Sequence, residues 1–83
     1  MERVGSEVDL TGRTVLVTGA ASGIGRACAG AFAATGAELC LADRDGPAVK
    51  EAAAELGGTP YVADLAEDGA IDTLPTAVDV VVN

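Results

Sequence analysis

Eighty-three residues allow a single domain with a small core: a chain this short buries only about 60–65% of its unfolded surface. With 49% hydrophobic residues it is too apolar for a disordered tail, and with 2% aromatics its core must come from Ala, Val, Leu and Ile. A formal charge of −8 argues against nucleic acid and against an anionic membrane surface as partners, and the lack of His excludes an imidazole base and a Ser-His-Asp triad.

Met1–Leu10 is polar and aperiodic and reads as a lead-in arm. It carries acids where a secretory signal needs basic and then apolar residues. The longest unbroken apolar runs, such as Ala31–Ala34, are four residues, far short of the roughly 20 that span a bilayer. Thr14–Thr18 is β-branched and apolar without alternation, which predicts a strand buried on both faces, as in a parallel sheet. Gly19–Gly25 is a glycine-rich turn. Ile24–Thr35 then predicts a helix with Ile24, Cys28, Ala31 and Phe32 on its inward stripe and Gly36 just past its end.

Glu38–Asp43 predicts a second strand. Asp45 and Pro47 open a second helix that continues through Ala48–Leu56 and stops at Gly57–Gly58. Pro60–Asp64 predicts a third strand, Glu67–Leu74 a short acidic helix ended by Pro75, and Val78–Asn83 a fourth strand. Alternating strands and helices mean parallel βαβ units: an α/β chain of four strands and three helices. Cys28 and Cys40 both sit in apolar segments and read as buried, reduced thiols, which fits a cytoplasmic chain.

The chemistry concentrates at Gly19-x-x-x-Gly23-x-Gly25, between the first strand and the first helix. One glycine permits the tight turn, another lets backbone approach a pyrophosphate, and a third lets helix pack on strand. The helix N-terminus then meets the phosphates with free N–H groups and a favourable dipole. Asp43 lies 18 residues beyond Gly25, where an acid is expected to accept hydrogen bonds from the adenosine ribose hydroxyls. A helix-capping or solvated turn role is the alternative for that carboxylate.

Thr18-Gly19-Ala20-Ala21-Ser22-Gly23-Ile24-Gly25 resembles the Thr-Gly-x-x-x-Gly-x-Gly fingerprint of the short-chain dehydrogenase/reductase family. The resemblance extends over about residues 9–83. Asp43 follows the second strand, Asp64-Leu65 follows the third, where family members place an Asp against the adenine, and Asn83 resembles the first Asn of the family's Asn-Asn-Ala-Gly motif. It implies the first part of a doubly wound Rossmann sheet with strand order 3-2-1-4. It also implies a dinucleotide site drawn from Gly19, Ala21, Ser22, Gly23, Ile24, Gly25, Asp43, Arg44, Asp64, Leu65 and Asn83.

Asp43 would repel the 2′-phosphate of NADP, and Ser22 stands where enzymes preferring NADP commonly carry a base, so NAD is the expected cofactor. Arg44 can swing to a phosphate, which leaves NADP as the less favoured alternative. Arg26, on the first helical turn, either steers phosphates or is solvated or packed against the sheet. The resemblance further implies an alcohol or ketone substrate and, for a full-length protein, a homo-oligomer. The family's acid/base is a Tyr with a Lys four residues later. The sole Tyr here, Tyr61, follows the sole Lys, Lys50, so the pair is absent and no catalytic residue is assigned. The arm Val8–Arg13 and the 19 residues from Asp64 to Asn83 are similar to bacterial 3-hydroxybutyrate dehydrogenases of the family.

Overall fold

The computed structural model describes residues 9–63 and 78–82. Among these, six elements follow in order: β1 (Thr14–Thr18), α1 (Gly23–Ala33), β2 (Glu38–Asp43), α2 (Gly46–Leu56), β3 (Thr59–Val62) and β4 (Val80–Val82). The four strands form one parallel sheet in the order β3-β2-β1-β4. This is the doubly wound α/β arrangement that the strand–helix alternation implies. The first two strands and the end of α2 fall where the sequence places them. β3 runs Thr59–Val62, beginning one residue earlier than expected and ending before Ala63, and β4 is shorter, beginning at Val80. The expected helix Glu67–Leu74 lies outside the described residues.

Burial explains the unalternating strands. Val15, Leu16 and Val17 are all buried, as are Leu39, Cys40, Leu41 and Ala42, because both faces of the central pair are covered. Val15, Val17, Leu39 and Leu41 share one face with Ala29 of α1 and with Val49, Ala52 and Ala53 of α2. Leu16, Cys40 and Ala42 make a smaller cluster on the opposite face, with Tyr61, Ala63 and Val78 against it. Both described helices therefore cover the same face, as two successive crossovers in one direction require.

The inward stripe of α1 differs from the expected one. Ile24 is 83% exposed and Ala31 is also exposed, whereas Ala29 is fully buried and Phe32 and Ala33 pack on the core. The helix presents its smallest residues to the sheet, because Gly25 and Ala29 allow the backbone to come closer than isoleucine could. It also ends at Ala33, so Gly36 falls further past the end than expected. There its positive φ of 82° turns the chain towards β2, packed beneath the Thr11 hydroxyl.

α2 is closed at both ends. The Asp45 carboxylate accepts from the Ala48 N–H at 3.1 Å, Pro47 occupies the first turn, and left-handed Gly57 donates to the Ala53 carbonyl at 2.8 Å. Asp45→Ala is expected to lower folding stability by about 1 kcal/mol, read as a drop in melting temperature without loss of dinucleotide affinity. At the opposite end of the sheet, Asp79 anchors β4. Its carboxylate accepts from the Thr14 N–H at 2.8 Å, its own N–H donates to the Thr14 carbonyl at 2.8 Å, and Arg13 pairs with it at 3.6 Å.

Candidate functional site: a glycine cradle beside a carboxylate

The strand order reverses direction between β1 and β4, which makes their carboxyl ends the switch point where open α/β sheets bind ligands. Three features meet there: the glycine loop leaving β1, the end of β2, and the end of β4, whose Val82 carbonyl accepts from the Thr18 hydroxyl at 3.2 Å.

The three glycines do different work. Gly19 and Gly23 hold positive φ values of 63° and 62°, and a Cβ added to either meets nothing within 4 Å. They give the loop its shape and leave open space above it. Gly25 is the reverse. A Cβ there would fall against the Gly19 carbonyl, with its carbon at 2.7 Å and the Thr18 oxygen at 3.2 Å. Helix and loop are in backbone contact at this point, so no side chain fits.

The amino end of α1 is unlike that of α2. Its N-cap residue, Ser22, makes no side-chain hydrogen bond into the helix, and the first turn holds no acid. The leading N–H groups have no acceptor within the helix, which suits an anion. Ser22, Gly23 and exposed Ile24 form the outer lip of the cradle.

Asp43 stands directly beside the loop. Its Oδ2 accepts from the Ala21 N–H at 3.1 Å, and its Oδ1 accepts from the Asp45 N–H at 2.9 Å. One residue earlier in each segment, the Ala20 N–H donates to the Ala42 carbonyl at 3.1 Å. The loop is thus sewn to β2 by two consecutive amides. Neither Ala20, which is fully buried, nor the Asp43–Ala21 bond was legible from motif spacing, because both depend on the lateral pairing of β1 with β2.

Among the other expected site residues, Arg44 is exposed and makes no ion pair among the described residues. Arg26 is engaged elsewhere: its guanidinium pairs with Glu55 of α2, tying the two helices together. Asp64, Leu65 and Asn83 lie outside the described residues. Tyr61 packs against Leu16, Cys40 and Ala42, and desolvation, with Cys40 beside it, pushes its phenol above the usual range. Burial likewise raises the Cys40 thiol, so it stays protonated; Cys28 is half-buried, and both cysteines are free. Among the described residues, no helix is long and apolar enough to cross a membrane.

A parallel sheet whose first turn is a three-glycine cradle, with a carboxylate at the end of the next strand, is the arrangement of a dinucleotide-binding Rossmann domain. The family model described as short chain dehydrogenase matches residues 13–82, and the chain belongs to that family. It is 41% identical over 80 residues to Dehydrogenase/reductase SDR family member 7B of Mus musculus, covering 86% of this chain and 25% of that protein. It is similar to 3-ketoacyl-(acyl-carrier-protein) reductase from Brucella melitensis, solved with NADH: TM-score 0.80 and 30% identity, covering 88% of this chain and 34% of that one. L-Sorbose reductase from Gluconobacter frateurii, solved with NADPH and L-sorbose, aligns with TM-score 0.74 and 31% identity over 78% of this chain and 27% of that one. The chain spans about a quarter of the mouse relative's length.

Proposed function

We propose that the 83 residues are the dinucleotide-binding part of a longer cytoplasmic oxidoreductase that takes NAD and acts on an alcohol or ketone. The observation that carries this reading is the cradle itself: open space over Gly19 and Gly23, an uncapped helix N-terminus behind it, and the Asp43 carboxylate at its side. Gly19, Ala21, Ser22, Gly23, Ile24 and Gly25 would hold the pyrophosphate through backbone N–H groups, with Asp43 taking the adenosine ribose. Asp64 and Leu65 would border the adenine, and Asn83 would add a further cofactor contact. When bound, the nicotinamide supplies hydride exchange with the substrate carbon.

NAD is favoured over NADP because a carboxylate repels a 2′-phosphate and offers it no donor. Arg26, held by Glu55, is not free to compensate, and Arg44 is the one nearby cation with no such tie among the described residues. A 3-hydroxy acid is the narrower substrate reading, supported by the arm Val8–Arg13 and the short interval from Asp64 to Asn83. For the 83 residues by themselves, a binding role without turnover is favoured, since they contain no Tyr-x-x-x-Lys.

Two measurements test the proposal. The coding sequence beyond Asn83 is expected to continue into Asn-Ala-Gly and a later Tyr-x-x-x-Lys; an in-frame stop overturns the longer enzyme. In the full-length protein, Asp43→Ala is expected to weaken NAD by about 1–3 kcal/mol, through loss of charge-assisted hydrogen bonds, while NADP loses less or gains. Equal losses for the two cofactors overturn the NAD preference.

A further inference from the structure

We propose that Asp43 is a positioning residue for the glycine loop, acting on it before any dinucleotide arrives and independently of ribose recognition. The inference rests on the dinucleotide reading above. Ribose recognition by itself requires no bond between the carboxylate and the loop. Here each oxygen already accepts a main-chain N–H: Oδ1 from Asp45, two residues on, and Oδ2 from Ala21, which lies in the middle of the loop.

The first bond fixes the side chain. The short Asp43–Asp45 contact closes a turn between β2 and α2, so the carboxylate cannot rotate freely. The second bond transmits that fixed position to the loop. Ala20 is already tied to the Ala42 carbonyl, and Asp43 adds a tie at the next amide, so the loop's direction is set up to the point where Ser22 leads into α1. Two positive-φ glycines flank this stretch, Gly19 before it and Gly23 after it, and the helix has no side-chain cap. Glycine-rich backbone loses the most conformational freedom on ordering. The Asp43–Ala21 bond supplies part of that ordering from outside the loop. Each carboxylate oxygen keeps a lone pair after these bonds, so positioning and ribose binding are compatible.

The two roles separate with a ligand that has no adenosine ribose hydroxyls. In the full-length protein, NAD and its 2′,3′-dideoxyadenosine analogue are titrated against wild type, Asp43→Ala and Asp43→Asn. Positioning predicts that Asp43→Ala weakens the analogue about tenfold, the loss of one charge-assisted bond. Asp43→Asn, which keeps an acceptor oxygen for the Ala21 N–H, is expected to restore most of that affinity. If Asp43→Ala weakens NAD but leaves the analogue unchanged, the positioning role is overturned and the dinucleotide reading stands. If wild type binds neither ligand, the dinucleotide reading fails and takes this one with it. Amide exchange on the unmutated, ligand-free protein supplies a test that needs no variant to fold. The Ala21 amide is expected to exchange more slowly than the Gly23 amide at the helix start, and equal rates overturn the proposal.

Discussion

Gly25→Ala is expected to cost about 3 kcal/mol or more of folding stability, even without ligand. The added Cβ would be driven into the Gly19 carbonyl and towards the Thr18 oxygen, both of them backbone atoms. Overpacking in a core typically costs about 1–3 kcal/mol where side chains can yield, and backbone yields less. α1 would have to lift off β1, uncovering Ala29, Phe32 and their partners Val15 and Val17. Gly19→Val and Gly23→Val should behave differently. Their new side chains enter open space, so the fold loses about 1–2 kcal/mol from the left-handed backbone, and the greater loss is in dinucleotide affinity, because a side chain takes the pyrophosphate's place. Melting curves of the ligand-free variants beside NAD titrations check the ranking. A Gly25→Ala protein that melts with wild type, or Gly19 and Gly23 variants whose surviving fold binds NAD normally, would contradict it.

Residues 1–83 produced alone are expected to self-associate, to melt without a cooperative transition, to bind NAD weakly if at all, and to show no turnover. β3 and β4 are the two edges of the described sheet, and their Val62 and Val81 are 51% and 54% exposed. The face carrying Leu16, Cys40 and Ala42 is met among the described residues only by half-buried Tyr61, Ala63 and Val78. An unpaired edge that exposes apolar side chains invites a second copy. Tyr61 lacks the family's paired base: no Lys follows it four residues later, and desolvation holds its phenol above the ordinary range. Sedimentation, a thermal melt and NADH absorbance with a panel of secondary alcohols provide the readout. A monomer with a sharp melt refutes the folding expectation, and turnover free of contaminating enzyme refutes the catalytic one.

Strand and turn residues carried most of what was legible in advance. A β-branched apolar run marked β1, the short apolar run Leu39–Ala42 marked β2, clustered glycines marked the cradle, and the Asp45, Pro47 and Gly57 signals bounded α2, because each acts through its own backbone neighbourhood. The inward face of α1 was not legible. Apolar spacing selects the largest side chains, Ile24 and its stripe, whereas close backbone contact selects the smallest, Gly25 and Ala29. Contacts between distant segments were equally invisible. Arg26 looked available to a phosphate until α2 brought Glu55 to it across 29 positions of sequence. The sequence offers Asp43 as a ribose ligand or a turn residue, and the fold adds a bond to the loop 22 positions away that no local signal announces.

The anchoring of β4 bears on the order in which the molecule assembles. β4 is three residues long, and its attachments reach back to β1 across 65 positions at the Asp79 end and 64 at the Val82 end. β1 and β2, by contrast, are joined across a single intervening helix. Closing the longer loop costs more chain entropy, by about 0.6 kcal/mol for each doubling of length, and returns only a short ladder. β4 is therefore expected to dock after the β1–α1–β2 unit and to release first, which faster amide exchange in β4 than in β2 would show. The cradle and Asp43 belong to the early unit, while the Thr18–Val82 side of the crevice waits for the late one. On that order, half of the candidate cleft would be built before the chain commits to the other half, and its opening would reverse the last folding step.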